Sequence, residues 1–361
     1  MNLGELFALS LEQLGALKTL HLSDNQLNTL NQAEWQAWTE TLAACHQLQS
    51  LTLAYNQLNT LNQTGWQALT ETLAVCHQLQ RLDLSGNQLN TLNQAEWQAL
   101  TETLAACHQL QSLTLAFNQL NTLRALIEIL AACHQLQRLD LRGNQFNTLN
   151  QAEWQALTET LAACHQLQSL DLSGNQLNTL NQTGWQALTE TLAACHQLQK
   201  LTLRDNVFRI LDAAEWKALG DALAECRQLQ DLDLSHNRLE ALDDTLFQEL
   251  IDALSKSKML FKIKASNAHM DRNVLLQHVC ATNHATLLDR LIVLYKGDIW
   301  NKIQIPDEIK NKILVYAWPK AAKNLGDKVQ KSFLEIKIRR GNKNQASRSI
   351  YKNPRVSIAL W

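Results

Sequence analysis

Hydrophobic and polar residues alternate along most of the chain in one pattern that occurs eight times. The frame is Leu-x-x-Leu-x-Leu-x-x-Asn-x-Leu, with variants at its last leucine. Its paired leucines alternate with polar residues, as in Leu51-Thr52-Leu53, and this period of two predicts a short strand with one buried face. The frame asparagine recurs at intervals of 31 residues, apart from one interval of 26: Asn25, Asn56, Asn87, Asn118, Asn144, Asn175, Asn206 and Asn237.

The second half of each unit has helical periodicity. Trp66, Leu69, Leu73 and Cys76 lie on one face of a helix, at i, i+3, i+7 and i+10. In three copies an asparagine precedes this stripe and a glutamate follows three residues later, as in Asn31 and Glu34, which indicates a capping box. The copies with Thr-Gly in place of Ala-Glu lack the glutamate, so we expect weaker helix starts there.

One strand–helix unit cannot bury its apolar stripe alone, whereas stacked units can. We therefore predict an α/β solenoid of eight repeats over residues 1–255, with parallel strands on the concave side and helices on the convex side. The frame asparagines should bond backbone groups at the bend after each strand. The 26-residue unit between Asn118 and Asn144 predicts a local change of curvature.

The repeat resembles the ribonuclease-inhibitor-like subclass of leucine-rich repeats over roughly residues 15–255. That resemblance implies a horseshoe in which each strand is paired with a full helix. The unit is longer than is usual for the subclass, because an extra Asn-Thr-Leu-Asn-Gln segment extends the strand-to-helix loop.

Charge divides the chain where the repeats end. Residues 1–255 contain 11 lysines and arginines against 27 acids, a net charge of −16, and residues 256–361 contain 21 against 7, a net charge of +14. Such a change of sign marks a domain boundary. We therefore predict a helical domain over 256–338 and a basic tail over 339–361. The basic surplus suits nucleic acid, acidic lipid or the acidic solenoid itself.

The N-terminus lacks a basic segment followed by an apolar run, and no apolar stretch reaches the ~18 residues of a membrane span. We expect a monomeric protein that is cytoplasmic or secreted without a cleaved signal peptide. Cysteines end the helical stripes and histidines follow six of them. Stacked equivalent cysteines lie too far apart for disulfides, and adjacent Cys-His is not a zinc spacing, so we expect buried thiols and neither metal nor cofactor. The cysteines are Cys45, Cys76, Cys107, Cys133, Cys164, Cys195 and Cys226.

The copies differ most at the outward positions of the strands, which should project from the concave face. Tyr55 and Phe117 lie two repeats apart, about 10 Å, and exposed aromatics and arginines dominate interface energies. A row of aspartates alternates with basic residues, so we expect much of it to be self-neutralising. The predicted partner-binding residues are Tyr55, Arg81, Asp83, Phe117, Arg138, Asp140, Arg142, Lys200, Arg204, Asp231 and His236.

The C-terminal segment raises two alternatives. Residues 305–318 resemble the opening of an F-box, the motif that docks ubiquitin-ligase scaffolds, although proline followed by acids is also ordinary helix-capping chemistry. An enzyme centred on Cys280 is the other alternative, but His278, Cys280 and His284 do not all share one face of a helix. The residues that carry the F-box resemblance are Ile305, Pro306, Glu308, Ile309, Ile313 and Leu314.

The near-identical copies and the appended segment also resemble translocated leucine-rich-repeat effectors of intracellular bacterial pathogens. This resemblance implies a non-catalytic scaffold that binds a protein partner on its concave face, within a host cell. We expect neither a small-molecule substrate nor nucleic acid as the main ligand.

Overall fold

The computed structural model describes residues 1–120, 124–133, 135–257, 259–265 and 280. Strands and helices alternate along this part of the chain. The strands are β1 (Thr19–His21), β2 (Ser50–Thr52), β3 (Arg81–Asp83), β4 (Ser112–Thr114), β5 (Arg138–Asp140), β6 (Ser169–Asp171), β7 (Lys200–Thr202), β8 (Asp231–Asp233) and β9 (Lys262–Lys264). The helices are α1 (Leu3–Phe7), α2 (Leu11–Gly15), α3 (Gln32–Ala43), α4 (Gln63–Val75), α5 (Gln94–Ala106), α6 (Arg124–Ala132), α7 (Gln151–Ala163), α8 (Gln182–Ala194), α9 (Ala213–Glu225) and α10 (Asp244–Ser255).

The strands form one parallel sheet in sequence order, which confirms the predicted solenoid. The sheet register follows the repeat frame, so that Leu51 pairs with Leu82. The register is kept across the 26-residue unit, where Leu113 pairs with Leu139. Helix α6 absorbs the deletion, since it has 9 residues where α5 and α7 have 13.

The sheet continues past the predicted solenoid end at residue 255. Strand β9 pairs with β8 in the same parallel register, although the eight-repeat count stops one strand earlier. Its inward residue Ile263 is 3% exposed, so the strand is a partial ninth unit that covers the core. Most of the predicted helical domain, the tail over 339–361 and the F-box-like segment over 305–318 lie outside the described residues.

Side chains alternate between the two faces of each strand. The central leucines, such as Leu82 in β3, are buried against the helices, and their neighbours face outward. The helical stripes close the core with tryptophan and leucine; Trp35, Trp154 and Trp216 are at most 2% exposed. This alternation gives every strand two outward side chains, at its first and third positions.

A ladder of frame asparagines holds consecutive repeats together. Asn118 illustrates it: Oδ1 accepts the N–H groups of Asn87 (2.9 Å) and Leu89 (3.3 Å) of the previous repeat. Its Nδ2 donates to the carbonyls of Leu84 and Ala116. The predicted role of the asparagines is therefore confirmed. At the N-terminal end, the N–H of Leu3 donates to Asn25 Oδ1, so α1 caps the ladder.

The extra loop segment contains a one-turn 3₁₀ helix, as at Leu58–Thr60, before the N-cap of the next helix. Capping differs between the two kinds of copy, as predicted. Asn31 and Glu34 form a reciprocal capping box, whereas Asn62 only accepts the N–H of Gly65. Among the helices described, none has the length and hydropathy that crossing a membrane needs.

Candidate protein-binding surface

The candidate surface consists of the outward strand residues and the first loop residue before each frame asparagine. That loop position has a positive φ in every repeat. Glycine, aspartate and histidine occupy it in six repeats, and aromatic residues occupy it in two. Tyr55 and Phe117 both have φ of 56° and are each 48% exposed. The left-handed region costs a side chain with a Cβ roughly 1–2 kcal/mol, and bulky residues adopt it rarely.

Each aromatic ring lies over a glycine of the following repeat. A Cβ added to Gly86 would overlap the Tyr55 ring, and one added to Gly143 would overlap the Phe117 ring. These glycines occupy the same loop position one repeat later, with φ of 65° and 66°. Each ring is therefore supported by backbone and stays half-exposed. The glycines were not among the predicted site residues.

Phe117 is also part of a small polar cluster. The guanidinium of Arg142 lies 5.9 Å from the centre of the Phe117 ring, within the range of a cation–π contact. The same guanidinium forms an ion pair of 2.7 Å with Asp140. Burial raises the pKa of Asp140, and the hydrogen bonds and charge of Arg142 oppose that rise. The structure thus brings together Phe117, Asp140 and Arg142 as one patch.

Three aspartates of the row bind groups two residues later in the chain, which differs from our expectation. Asp83 and Asp171 accept the N–H and hydroxyl of the serine two residues later, Ser85 and Ser173. Asp140 pairs with Arg142 in the same way. Asp-x-Ser and Asp-x-Arg turns satisfy an acid locally, so these acids do not pair with the basic residues that alternate with them on neighbouring strands.

Strand β9 neutralises the acids at the C-terminal end of the sheet. Asp231 pairs with Lys262 at 2.7 Å, and Asp233 pairs with Lys264 at 3.4 Å. Burial alone would raise the pKa of Asp233, but hydrogen bonds from Ser235 and the charge of Lys264 lower it overall. Asp231 was a predicted partner-binding residue, but Lys262 of the same chain forms an ion pair with it. His236 occupies the same left-handed loop position as the aromatics, with φ of 60°.

The predicted basic residues remain exposed. Arg81, Arg138 and Lys200 stand at the first outward position of β3, β5 and β7, and Arg204 follows β7. None of these four side chains forms an ion pair with another part of the chain within the described ranges. The predicted site therefore divides into a patch around Tyr55 and Phe117, a row of unpaired bases, and an acidic end closed by β9.

The cysteines are core residues, as predicted. All seven repeat thiols are buried without disulfides. Burial raises the pKa of Cys76, Cys133 and Cys195 to about 12. The Cys226 thiol donates to the carbonyl of Leu192 at 3.0 Å. A cavity of about 290 Å³ lies beside Cys164 and Cys195, with His165 and His196 in its lining. Within the described residues, no three metal-ligating side chains converge.

The repeats match a known family model, and the fold is similar to that of a solved bacterial protein. The Leucine Rich Repeat family model matches residues 78–100, 166–188 and 228–250. The leucine-rich repeat-containing protein LegL7 from Legionella pneumophila superposes with a TM-score of 0.57 at 24% identity, covering 78% of this chain and 89% of LegL7. The tropomodulin C-terminal domain from Caenorhabditis elegans gives a TM-score of 0.32 at 14% identity, covering 42% of this chain and 87% of that domain.

A comparison with curated protein sequences found no match. The three matched segments each contain a strand, a loop with its frame asparagine and the start of a helix. They agree with the sheet order and with the likeness to LegL7. By sequence pattern and by fold, the described repeats form an α/β leucine-rich-repeat solenoid.

Proposed function

We propose that the chain is a non-catalytic scaffold that binds a protein partner on its concave face, at the patch formed by Tyr55, Phe117, Arg142 and Asp140. One observation carries the proposal: aromatic side chains occupy two strained loop positions where other repeats have glycine, aspartate or histidine, and they stay half-exposed. A bulky side chain at this position costs conformational energy, and we infer that a role in binding accounts for it.

The neighbouring contacts support the same role. Each ring is held over a glycine, and Arg142 is held over Phe117 by Asp140. Side chains fixed before binding lose little conformational entropy when a partner arrives. Aromatic residues and arginine are the types enriched at the centres of protein interfaces.

The fold suits a scaffold more than an enzyme. Leucine-rich-repeat solenoids are typically interaction scaffolds that bind on the sheet face. Cys280, the centre of the alternative enzyme hypothesis, is 4% exposed. Its sequence neighbours, and the F-box-like residues of the adaptor alternative, lie outside the described residues.

The experiment compares two full-length double variants in quantitative affinity capture from a cell lysate. Tyr55→Ala with Phe117→Ala removes the two aromatic side chains of the patch. Val75→Ala with Ile210→Ala removes two other exposed apolar side chains, which are 49% and 52% exposed and lie away from the strands. We expect the first variant to lose specific partners by tenfold or more, corresponding to ~2 kcal/mol, and the second to retain them. Equal retention by both variants would refute the proposed surface.

The setting we propose is a host cell, as for the translocated bacterial effectors that the sequence resembles. The support is the repeat pattern together with the shared fold of LegL7, a protein of the bacterium Legionella pneumophila. A reporter fused to the chain and expressed in Legionella should enter host cells, and a secretion-deficient strain should not deliver it. Delivery that does not depend on secretion would count against this setting.

A further inference from the structure

We propose that the row of bases Arg81, Arg138 and Lys200, called here the basic row, binds an acidic helical segment of the partner whose carboxylates recur about every 10 Å. This inference rests on the proposed function and specifies the partner's chemistry. The basic row occupies the first outward position of β3, β5 and β7, and all three side chains are exposed.

The helices carry the acidic surplus of the solenoid, whereas the strands carry five aspartates and five basic residues. Every helix from α3 to α10 carries an exposed acid at the same repeat position: Glu40, Glu71, Glu102, Glu128, Glu159, Glu190, Asp221 and Asp252. The same helices contain two bases, Arg124 and Lys217. The basic row therefore stands out on the sheet face of a segment whose net charge is −16.

The acids near the basic row already form hydrogen bonds or ion pairs with other residues of the chain. Asp83 and Asp171 are satisfied by serines two residues later, and Asp140 is paired with Arg142. Asp231, which is in register with Lys200, pairs with Lys262 instead. Among the described residues, none of the three bases forms an ion pair, so each can bind an external carboxylate; arginine does so with two parallel hydrogen bonds.

The distance between neighbouring bases of the basic row matches carboxylates on one face of an α-helix. The bases are on alternate strands, with Ser112 and Ser169 in register between them. At about 4.8 Å per strand, neighbouring bases lie about 10 Å apart and the row spans about 19 Å. An α-helix rises 1.5 Å per residue, so carboxylates seven residues apart are about 10.5 Å apart. The small serines let a helix approach the sheet between the bases.

A nucleic acid fits the row less well. Each strand of a DNA duplex places a phosphate every 3.4 Å of helix axis, so a pitch of about 10 Å along the axis meets only one phosphate in three. The acidic solenoid also repels a polyanion over a longer range than it repels a peptide with a few isolated acids. The spacing and the charge therefore both favour a protein segment.

The test measures binding of fluorescent peptides to the full chain by anisotropy. One alanine-rich helical peptide has three glutamates seven residues apart; a second has the same composition with the glutamates four residues apart. We expect the first peptide to bind at least threefold more tightly. The triple variant Arg81→Gln, Arg138→Gln and Lys200→Gln should weaken its binding by about tenfold or more.

The matched control is Lys217→Gln with Arg227→Gln and Arg238→Gln, which removes the same charge from exposed positions outside the strands. It should change the affinity less than twofold. Equal losses in both triple variants, equal binding of the two peptides, or tighter binding of a 20-base-pair DNA duplex would each overturn the inference. If partner capture still depends on Tyr55 and Phe117 in that case, the proposed function stands and only the partner chemistry is wrong.

Discussion

At the scale of single residues, the frame asparagine connects each repeat to the one before it. The sequence predicts that these asparagines satisfy backbone groups, because a polar residue fixed at a buried bend needs partners. It does not show that the partners belong to two repeats, since that depends on the stacking register. The ladder of frame asparagines from Asn25 to Asn237 therefore both stabilises the turns and connects neighbouring repeats.

We predict that Asn118→Ala lowers the free energy of unfolding by about 3 kcal/mol or more. The change leaves the N–H groups of Asn87 and Leu89 buried without this partner, at ~1–3 kcal/mol each, and removes two further hydrogen bonds to carbonyls that keep another donor. Urea unfolding measures the loss. Asn59→Ala is the control, because Asn59 makes one side-chain hydrogen bond near the surface and its Oδ1 has no partner. A loss below 1 kcal/mol for Asn118→Ala would contradict the ladder.

The aromatic patch was predicted from sequence, but its glycine supports were not. The signal was present: Gly86 and Gly143 occupy the frame position of Tyr55 and Phe117 one repeat later. Its meaning became clear only from the positive φ at that position and from the direction of the rings.

Gly143→Ala should weaken partner capture as strongly as Phe117→Ala, because the new Cβ overlaps the Phe117 ring and displaces it. Gly174→Ala is the matched control: its φ is 63°, but its Cβ would meet only a backbone nitrogen at 3.9 Å. Both variants should lose roughly 1–2 kcal/mol of stability from the left-handed backbone. Capture that is equally strong in both variants would show that the position of the ring is irrelevant.

At the scale of secondary-structure elements, hydrophobic periodicity predicted the strands and the helical stripes. It predicted neither the 3₁₀ turn inside the long loop nor strand β9. Around β9 the sequence matches the repeat pattern at Leu260 and Ile263 and departs from it afterwards. Where the local sequence pattern is this weak, packing against the preceding repeat determines which structure the segment adopts. The close contact between α9 and α10 is a second such feature, because it depends on Gly220.

Gly220→Ala should destabilise the protein by about 1–3 kcal/mol, because the added Cβ overlaps Ala253 of α10. The sign of the change in stability distinguishes a packing clash from an effect of helix propensity. In an exposed helix the same substitution stabilises by about 1 kcal/mol through helix propensity. Urea unfolding of the full chain should show the loss, and a gain in stability would mean that α9 and α10 pack more loosely than described.

At the scale of the whole molecule, the sequence predicted the charge division between residues 1–255 and 256–361 and the buried thiols. It did not predict how charge is arranged on the sheet face. The expectation that the aspartates pair with alternating bases was wrong, because local Asp-x-Ser and Asp-x-Arg turns satisfy the acids first. The bases are left to face outward as a consequence.

The buried thiols predict a loss of stability in alkaline solution. In the unfolded chain a thiol loses its proton near pH 9.0, whereas in the fold the pKa of Cys195 is about 12. Between these values only the unfolded state ionises, so the free energy of unfolding falls as pH rises, by ~1.4 kcal/mol per pH unit for each such thiol. Urea unfolding of Cys195→Ala between pH 8 and 10 should show a smaller fall than the parent chain. An identical fall would disprove this origin.

The central claim is that the face bearing Tyr55 and Phe117 touches the partner directly. The most direct measurement places a photo-crosslinking phenylalanine analogue at position 55 or 117 of the full chain, and at positions 75 and 210 as controls, before irradiation in a cell lysate. We predict that positions 55 and 117 crosslink the same protein and that positions 75 and 210 do not. A partner that crosslinks at position 75 or 210, and at neither position 55 nor 117, would contradict the account.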